Sequence, residues 1–449
     1  MAFIYLLTAL VLSLSSLQQG EQLFLENKPR EALPYLEKAA DTARERGSLS
    51  DARALVERAL GLAAEPTAKA RLLLITEDIA AEAGETETRR SALDELEALA
   101  GEQDDDRIAA EAEYRRARYQ LHSGDLSGAR ANGETSLARF EKLGDISMQA
   151  DVLRLLARVS HLWGDQREAM KYYRSSLPLE REAGDRYGQA EVFDQLGLVQ
   201  IDLDDFTTAL DYFEAAREIC AEIGQRPAEA RVIGHQAWAL YWVGRYEEAE
   251  KSARMALELA ERCGSLQAQS GARLALAAAL AALGQTAEAE ALARQVCETA
   301  ERAHQPGLGA RACLQLAQIR TGADSEKASR QARRLARQAG LAHVDILSVT
   351  REAEIALEAG DVEAAEEASA EAMHKLSMRG KIEGPEEAVL FTRARSLEAL
   401  GRQEEAAEIL EQARAAIREK AKKIEDPDVR QSFLDIPLNR EALGGTAVE

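Results

Sequence analysis

Apolar residues in the middle of the chain recur at helical spacing, as in Val192, Phe193, Leu196, Val199 and Leu203. Steps of three and four keep such residues on one face of a helix. These stretches run for about 16 to 18 residues and are broken at a fixed interval. Turn signals fall at Gly124-Asp125, Gly144-Asp145, Gly164-Asp165, Gly184-Asp185, Asp204-Asp205, Gly224, Gly244, Gly264 and Gly284, each twenty residues after the last. Glycine ends a helix by entering the left-handed region that satisfies the last carbonyls, and the following Asp caps the next helix. Twenty residues per helix and turn give an antiparallel helix pair every forty residues. One pair cannot bury its apolar face alone, so the pairs must stack. The pattern predicts an all-α solenoid of about ten hairpins.

The units share internal chemistry. One reads Gln195-Leu196-Gly197, then Asp204-Asp205-Phe206, Ala209, Phe213 and Ala216. The preceding unit supplies Leu156-Ala157, Gly164-Asp165, Ala169 and Tyr173, and the following ones Ala237, Gly244, Tyr246, Ala249, Ala256, Leu276-Ala277, Gly284, Ala289 and Ala293. Small residues suit the close crossing within a hairpin, and larger ones fill the gap to the next. This pattern resembles the tetratricopeptide repeat family, in the forty-residue form found in bacterial multidomain signalling regulators and animal cell-polarity adaptors. The resemblance implies a right-handed superhelix whose concave face binds partner proteins or peptides.

The match divides the chain into an N-terminal region with an irregular joint (1–102), a regular array (103–303), C-terminal hairpins (304–423), and a capping segment with a frayed tail (424–449). A helix over Ser50–Ala64 is left without a partner. The hairpin around Gly84 has Thr76-Glu77 and Arg89 where small or apolar residues are expected, and the unit at Leu316-Ala317 has a shortened turn at Gly322. The segment Ile424 to Leu434 resembles the tail that closes such arrays in bacterial proteins with an upstream ATPase, cyclase or kinase domain. In it Phe433, Leu434 and Ile436 are expected to cover the apolar edge of the last hairpin.

Composition narrows the function classes. Of 449 residues 46% are hydrophobic, enough to exclude wholesale disorder, and long Ala, Leu, Glu and Arg stretches exclude a β-sandwich or a parallel-sheet enzyme. Lys and Arg number 56 against 78 Asp and Glu, a net charge of −22 that disfavours nucleic acid and anionic lipid as partners. The basic run Lys327, Arg330, Arg333, Arg334 and Arg337 is read as a stripe balancing acidic neighbours. Cys220, Cys263, Cys297 and Cys313 form no C-x-x-C pair and are read as small buried residues in a reducing compartment, so a cytoplasmic location is expected. Ala2 to Leu14 is nearly all apolar but lacks a basic start and a cleavage site. A buried end helix or the stub of a longer protein is the reading, with a signal or anchor at 2–14 as the alternative.

No phosphate loop, close histidine pair or nucleophile elbow occurs, so no catalytic residue, cofactor or metal site is expected. The expected site is the groove lined by the first helix of each hairpin. Tyr114, Arg118 and His122 lie along one such face, and Arg154, Arg158 and His161 along the next. Glu191, Asp194 and Asp202 follow, then Arg231, Trp238, Tyr241 and Trp242. An acidic or C-terminal peptide would place carboxylates on Arg118, Arg154 and Arg158 and an apolar side chain on Trp238 or Trp242. The competing reading has the aromatics filling space between hairpins and the arginines pairing with nearby carboxylates. The function expected is a non-enzymatic scaffold or regulatory module; the alternative is the detached sensor region of a larger bacterial signalling enzyme of kinase, cyclase or ATPase type.

Overall fold

The computed structural model describes residues 29–45, 48–379 and 384–444; the apolar stretch 2–14 lies outside the described residues. Among the described residues there are 22 helices and no strand, packed as pairs in chain order. The chain forms two compact units, Met1–Val159 and Ser160–Glu449. The helices run α1 Pro29–Glu45, α2 Leu49–Leu60, α3 Pro66–Ala83, α4 Thr86–Gln103, α5 Asp106–Ser123, α6 Leu126–Leu143 and α7 Ile146–Trp163. Then come α8 Gln166–Ala183, α9 Arg186–Asp202, α10 Phe206–Glu222, α11 Arg226–Trp242, α12 Tyr246–Cys263, α13 Leu266–Ala282 and α14 Thr286–Arg302. The series ends with α15 Pro306–Ile319, α16 Gly322–Ala339, α17 Ala342–Ala359, α18 Val362–Arg379, α19 Glu386–Ala399, α20 Gln403–Lys423, α21 Pro427–Leu434 and α22 Pro437–Ala442.

The twenty-residue ruler has the expected local cause. Glycines from Gly124 to Gly284 that end helices take positive φ. The following carboxylates accept from the next helix, Asp125 from Gly128 N–H at 2.9 Å, Asp185 from Gly188 at 2.8 Å and Asp205 from Thr208 at 3.1 Å. Second helices keep alanine at the crossing: Ala129, Ala169, Ala209, Ala249 and Ala289 are all fully buried. Gly197 serves the same closeness, because a Cβ there would stand 2.5 Å from the Phe213 ring.

The irregular joints are explained by contacts that the repeat pattern does not show. The helix expected to lack a partner, α2, ends at Leu60 and packs between α1 and α3 through Ala52, Val56 and Ala59. Glu77 and Arg89, the two misfits of the hairpin around Gly84, satisfy each other: both are buried and ion-paired, and Arg115 adds a second contact to Glu77 at 3.0 Å. At the shortened turn, Arg351 replaces the missing helix cap by donating to the carbonyls of Ala317 (3.1 Å) and Arg320 (3.5 Å).

Within the second unit the C-terminal segment does more than cover the last hairpin. Val429, Phe433, Ala442 and Leu443 share one core with Ile417 and Ala421 of α20 and with Ile201, Phe206, Phe213, Val232 and Val243, some two hundred residues earlier. Polar contacts seal the same seam. Lys423 Nζ donates to the Leu203 carbonyl at 2.6 Å and to Asp204 at 3.0 Å, while Lys420 lies 2.7 Å from Glu387 and 3.5 Å from Asp204. Asp204 occupies a glycine position of the ruler at φ 61. Its carboxylate on the two lysines is what glycine would not supply. Helices α9 to α20 therefore turn back far enough for the tail to bridge both ends of that stretch.

Candidate interaction surfaces

The expected groove residues fall in both units, and each set has its own chemistry. In the first unit Tyr114 packs on Ala117, Leu121, Leu155 and Val159, and burial pushes its hydroxyl up to about 12. The Arg118 guanidinium lies over that ring, 5.8 Å from its centre, a contact worth about 0.5–1 kcal/mol at an accessible site. His122 Nδ1–H donates to the Arg118 carbonyl at 2.6 Å. Desolvation lowers the His122 pKa, and the positive charges of Arg89, Arg158 and Arg118 lower it further. Arg154 is bound to Asp151 one turn earlier. Arg158 is exposed, and among the described residues no carboxylate lies against Arg118 or Arg158.

The second unit is different. His161 Nε2 meets Asp202 at 2.6 Å, Arg231 meets Glu191 at 2.7 Å and Asp194 at 3.5 Å, and His235 Nδ1 meets Asp194 at 2.7 Å. In three of these four contacts the partners are 40 or 41 residues apart, so the repeat length itself sets a basic side chain against a carboxylate on successive first helices. Asp194 is fully buried; burial pushes its pKa up, but His235 and Arg231 outweigh that and hold it below the usual carboxylate value. Each carboxylate of the acidic strip expected from Glu191, Asp194 and Asp202 thus has a basic side chain against it.

The aromatic residues make a cluster. Trp238 stands edge-on to Tyr241 at 5.6 Å and tilted against Trp242 at 5.7 Å, and Tyr241 reaches Tyr246 at 5.6 Å. Trp238 packs on Ala237, Leu276 and Ala277, while Trp242 packs on the core shared with the C-terminal segment. Burial pushes the Tyr241 hydroxyl up to about 12. In the basic stripe of α16, Arg330 pairs with Glu326, Arg333 with Glu352 and Glu371, and Arg337 with Asp345.

Among the described residues no group of three or more His, Cys, Asp or Glu side chains is placed to hold a metal, and no helix is long and apolar enough to cross a membrane. One cavity of about 430 Å³ rests on a single face of α8, at Arg167, Met170, Lys171 and Arg174. Sequence reasoning missed His235, which shares the inward face of α11 with Arg231 at i, i+4 and so was within reach of the periodicity argument. It also missed the meeting of Cys297 and Cys313, which only the stacking of hairpins brings about.

Two family models, both described as tetratricopeptide repeat, match residues 188–262 and 271–307. The chain carries tetratricopeptide repeats. No curated protein matches it. Among solved structures, a Rap protein complexed with competence and sporulation factor is similar at 14% identity and TM-score 0.56, over 79% of this chain and 99% of that one. Aspartyl phosphate phosphatase F from Bacillus subtilis is similar at 14% identity and TM-score 0.54, over 76% and 93%. Identities this low speak to the fold alone. A signal transduction ATPase with numerous domains and a tetratricopeptide repeat sensor, from Pyrococcus horikoshii, is similar at 16% identity over 61% of this chain. This repeat chain spans only 44% of that protein, at a TM-score of 0.46.

Proposed function

We propose that this tetratricopeptide-repeat chain is a non-enzymatic scaffold or regulatory module that holds an acidic or C-terminal peptide of a partner protein on its first unit. The observation that carries this is the state of Arg118 and Arg158. Of the basic side chains expected in the groove, Arg154, His161 and Arg231 have carboxylates against them, whereas Arg118 and Arg158 have none among the described residues and both lie within electrostatic reach of His122. A guanidinium held over an aromatic ring keeps its N–H fork free for a carboxylate. The Rap structure complexed with a factor supports binding as a use of this fold. Four free cysteines fit a reducing, cytoplasmic setting.

The test is binding of fluorescein-labelled peptides of alternating Glu and Leu, with free and amidated C-termini, to the full chain and to Arg118→Glu plus Arg158→Glu. Binding that is lost in the double variant, with circular dichroism unchanged, supports the proposal. Equal binding by both chains removes the basic face from consideration.

A further inference from the structure

Cys297 on α14 and Cys313 on α15 belong to successive hairpins, yet their sulfurs stand 3.4 Å apart. Cys220 and Cys263 are also free thiols and have no cysteine within contact. A disulfide bond is about 2.05 Å long, so closing the pair needs roughly an ångström of side-chain rotation. The thiols border a cavity of about 250 Å³ whose walls include Arg294, Glu298, Glu301, Arg320 and Lys327. Cys313 is buried and Cys297 is half-buried. Cys297 is therefore the more accessible of the two to a small reagent.

The two thiols are not equivalent. The two sulfurs are within hydrogen-bond distance; that contact lowers the Cys297 pKa against the opposing effect of burial, and Arg320 favours its thiolate while Glu301 and Glu298 oppose it. The same contact, with burial, raises Cys313. The thiolate is the nucleophile in exchange chemistry, so the more exposed Cys297 is the attacking sulfur and the buried Cys313, 3.4 Å away, the resolving one.

We propose that Cys297 and Cys313 form a reversible dithiol–disulfide site that reacts with small-molecule disulfides and, when oxidised, staples α14 to α15. In the first step the Cys297 thiolate attacks one sulfur of a disulfide RSSR, forming Cys297–S–S–R and releasing RS⁻. Cys313 then gives up its proton and attacks the Cys297 sulfur, expelling the second RS⁻. Both leaving thiolates take up protons, so two protein thiols and RSSR become one protein disulfide and two RSH. The bond crosses a joint between hairpins, and the angle at such joints sets the pitch of a repeat stack.

The experiment incubates the full chain with oxidised glutathione, quenches with acid, alkylates free thiols and reads intact mass and tryptic peptides. Supporting results are loss of two hydrogens, a linked pair of peptides Gln295–Arg302 and Ala312–Arg320, and alkylated Cys220 and Cys263. Cys313→Ser should accumulate glutathione on Cys297, whereas Cys297→Ser should leave Cys313 reduced. Amide exchange in α14 and α15 should slow several-fold on oxidation. Both thiols remaining alkylated in excess oxidised glutathione, a stable mixed disulfide in the unsubstituted chain, or a linked pair involving Cys220 or Cys263 would overturn the site. Unchanged amide exchange after oxidation would overturn the staple.

Discussion

Gly244 and Gly284 make a matched pair for testing how the C-terminal segment is seated. Both end a first helix with nearly the same backbone, φ 80 and φ 79. Alanine at either position suffers the left-handed cost of about 1–2 kcal/mol. Around Gly284 a Cβ meets nothing within 4 Å, whereas at Gly244 it would stand 2.5 Å from the Ser432 carbonyl oxygen and 3.0 Å from Ile436. Ordinary contact begins near 3.4 Å, and the blocking atom is backbone, so α21 must retreat by about 0.9 Å. A gap of that size forfeits roughly a quarter to a half of the dispersion contacts of the side chains that lose their neighbours. Val429 and Phe433 are the buried anchors of that helix, and burial of such a side chain is worth about 1.5–3 kcal/mol each. The Gly244→Ala penalty beyond Gly284→Ala is therefore about 1–3 kcal/mol, confined to the seam. Repeat stacks do not unfold in one step, so the assay is amide exchange by mass spectrometry rather than a melting temperature. Protection of residues 427–444 should fall by about 5- to 150-fold in Gly244→Ala and stay unchanged in Gly284→Ala. Equal protection in the two variants would refute the docking of α21 against the turn at Gly244.

The seam's polar half gives a second expectation. Lys420→Met leaves Glu387 and Asp204 buried without that cation, which should cost about 3–5 kcal/mol and appear as faster exchange in α19 and α20; unaltered exchange there would remove the ion pair from the account. Asp194 has its pKa held down in the fold, so its contribution is present above the unfolded carboxylate value of about 3.9 and lost as pH falls through the lower folded value. Protection of α9 and α11 should thus decline more steeply below about pH 4 in the unsubstituted chain than in Asp194→Asn, and parallel declines would contradict the assignment. His122 is also lowered, so it should titrate by NMR below about 6.5, and it adds stability that is lost as pH drops through that folded value. Arg158→Glu should raise the His122 pKa, as should a bound acidic peptide. A His122 titration that ignores both would place Arg158 elsewhere.

Helix boundaries, pairing of consecutive helices and the buried alanines at 129, 169, 209, 249 and 289 were determined by the sequence itself, because each depends on chemistry within a few residues or on a fixed period. Glycine at a helix end takes positive φ and the aspartate after it caps the next helix, and a face repeated every forty residues must be buried against its copy. Other features depend on what a stack of helix pairs brings together after several small rotations, which no local pattern encodes. Glu77 and Arg89 read as two defects and are one buried ion pair. Arg231 and His161 read as groove cations and are matched by carboxylates one repeat away, while Arg118 and Arg158 are not. Cys297 and Cys313 read as separate core residues and share a contact across a hairpin joint. Asp204 stands where the ruler asks for glycine, and the reason arrives with Lys420 and Lys423, more than two hundred residues later. Curvature accumulated over α9 to α20 decided which distant surfaces met, and the charges and apolar side chains at those meeting points hold the stack where it turned.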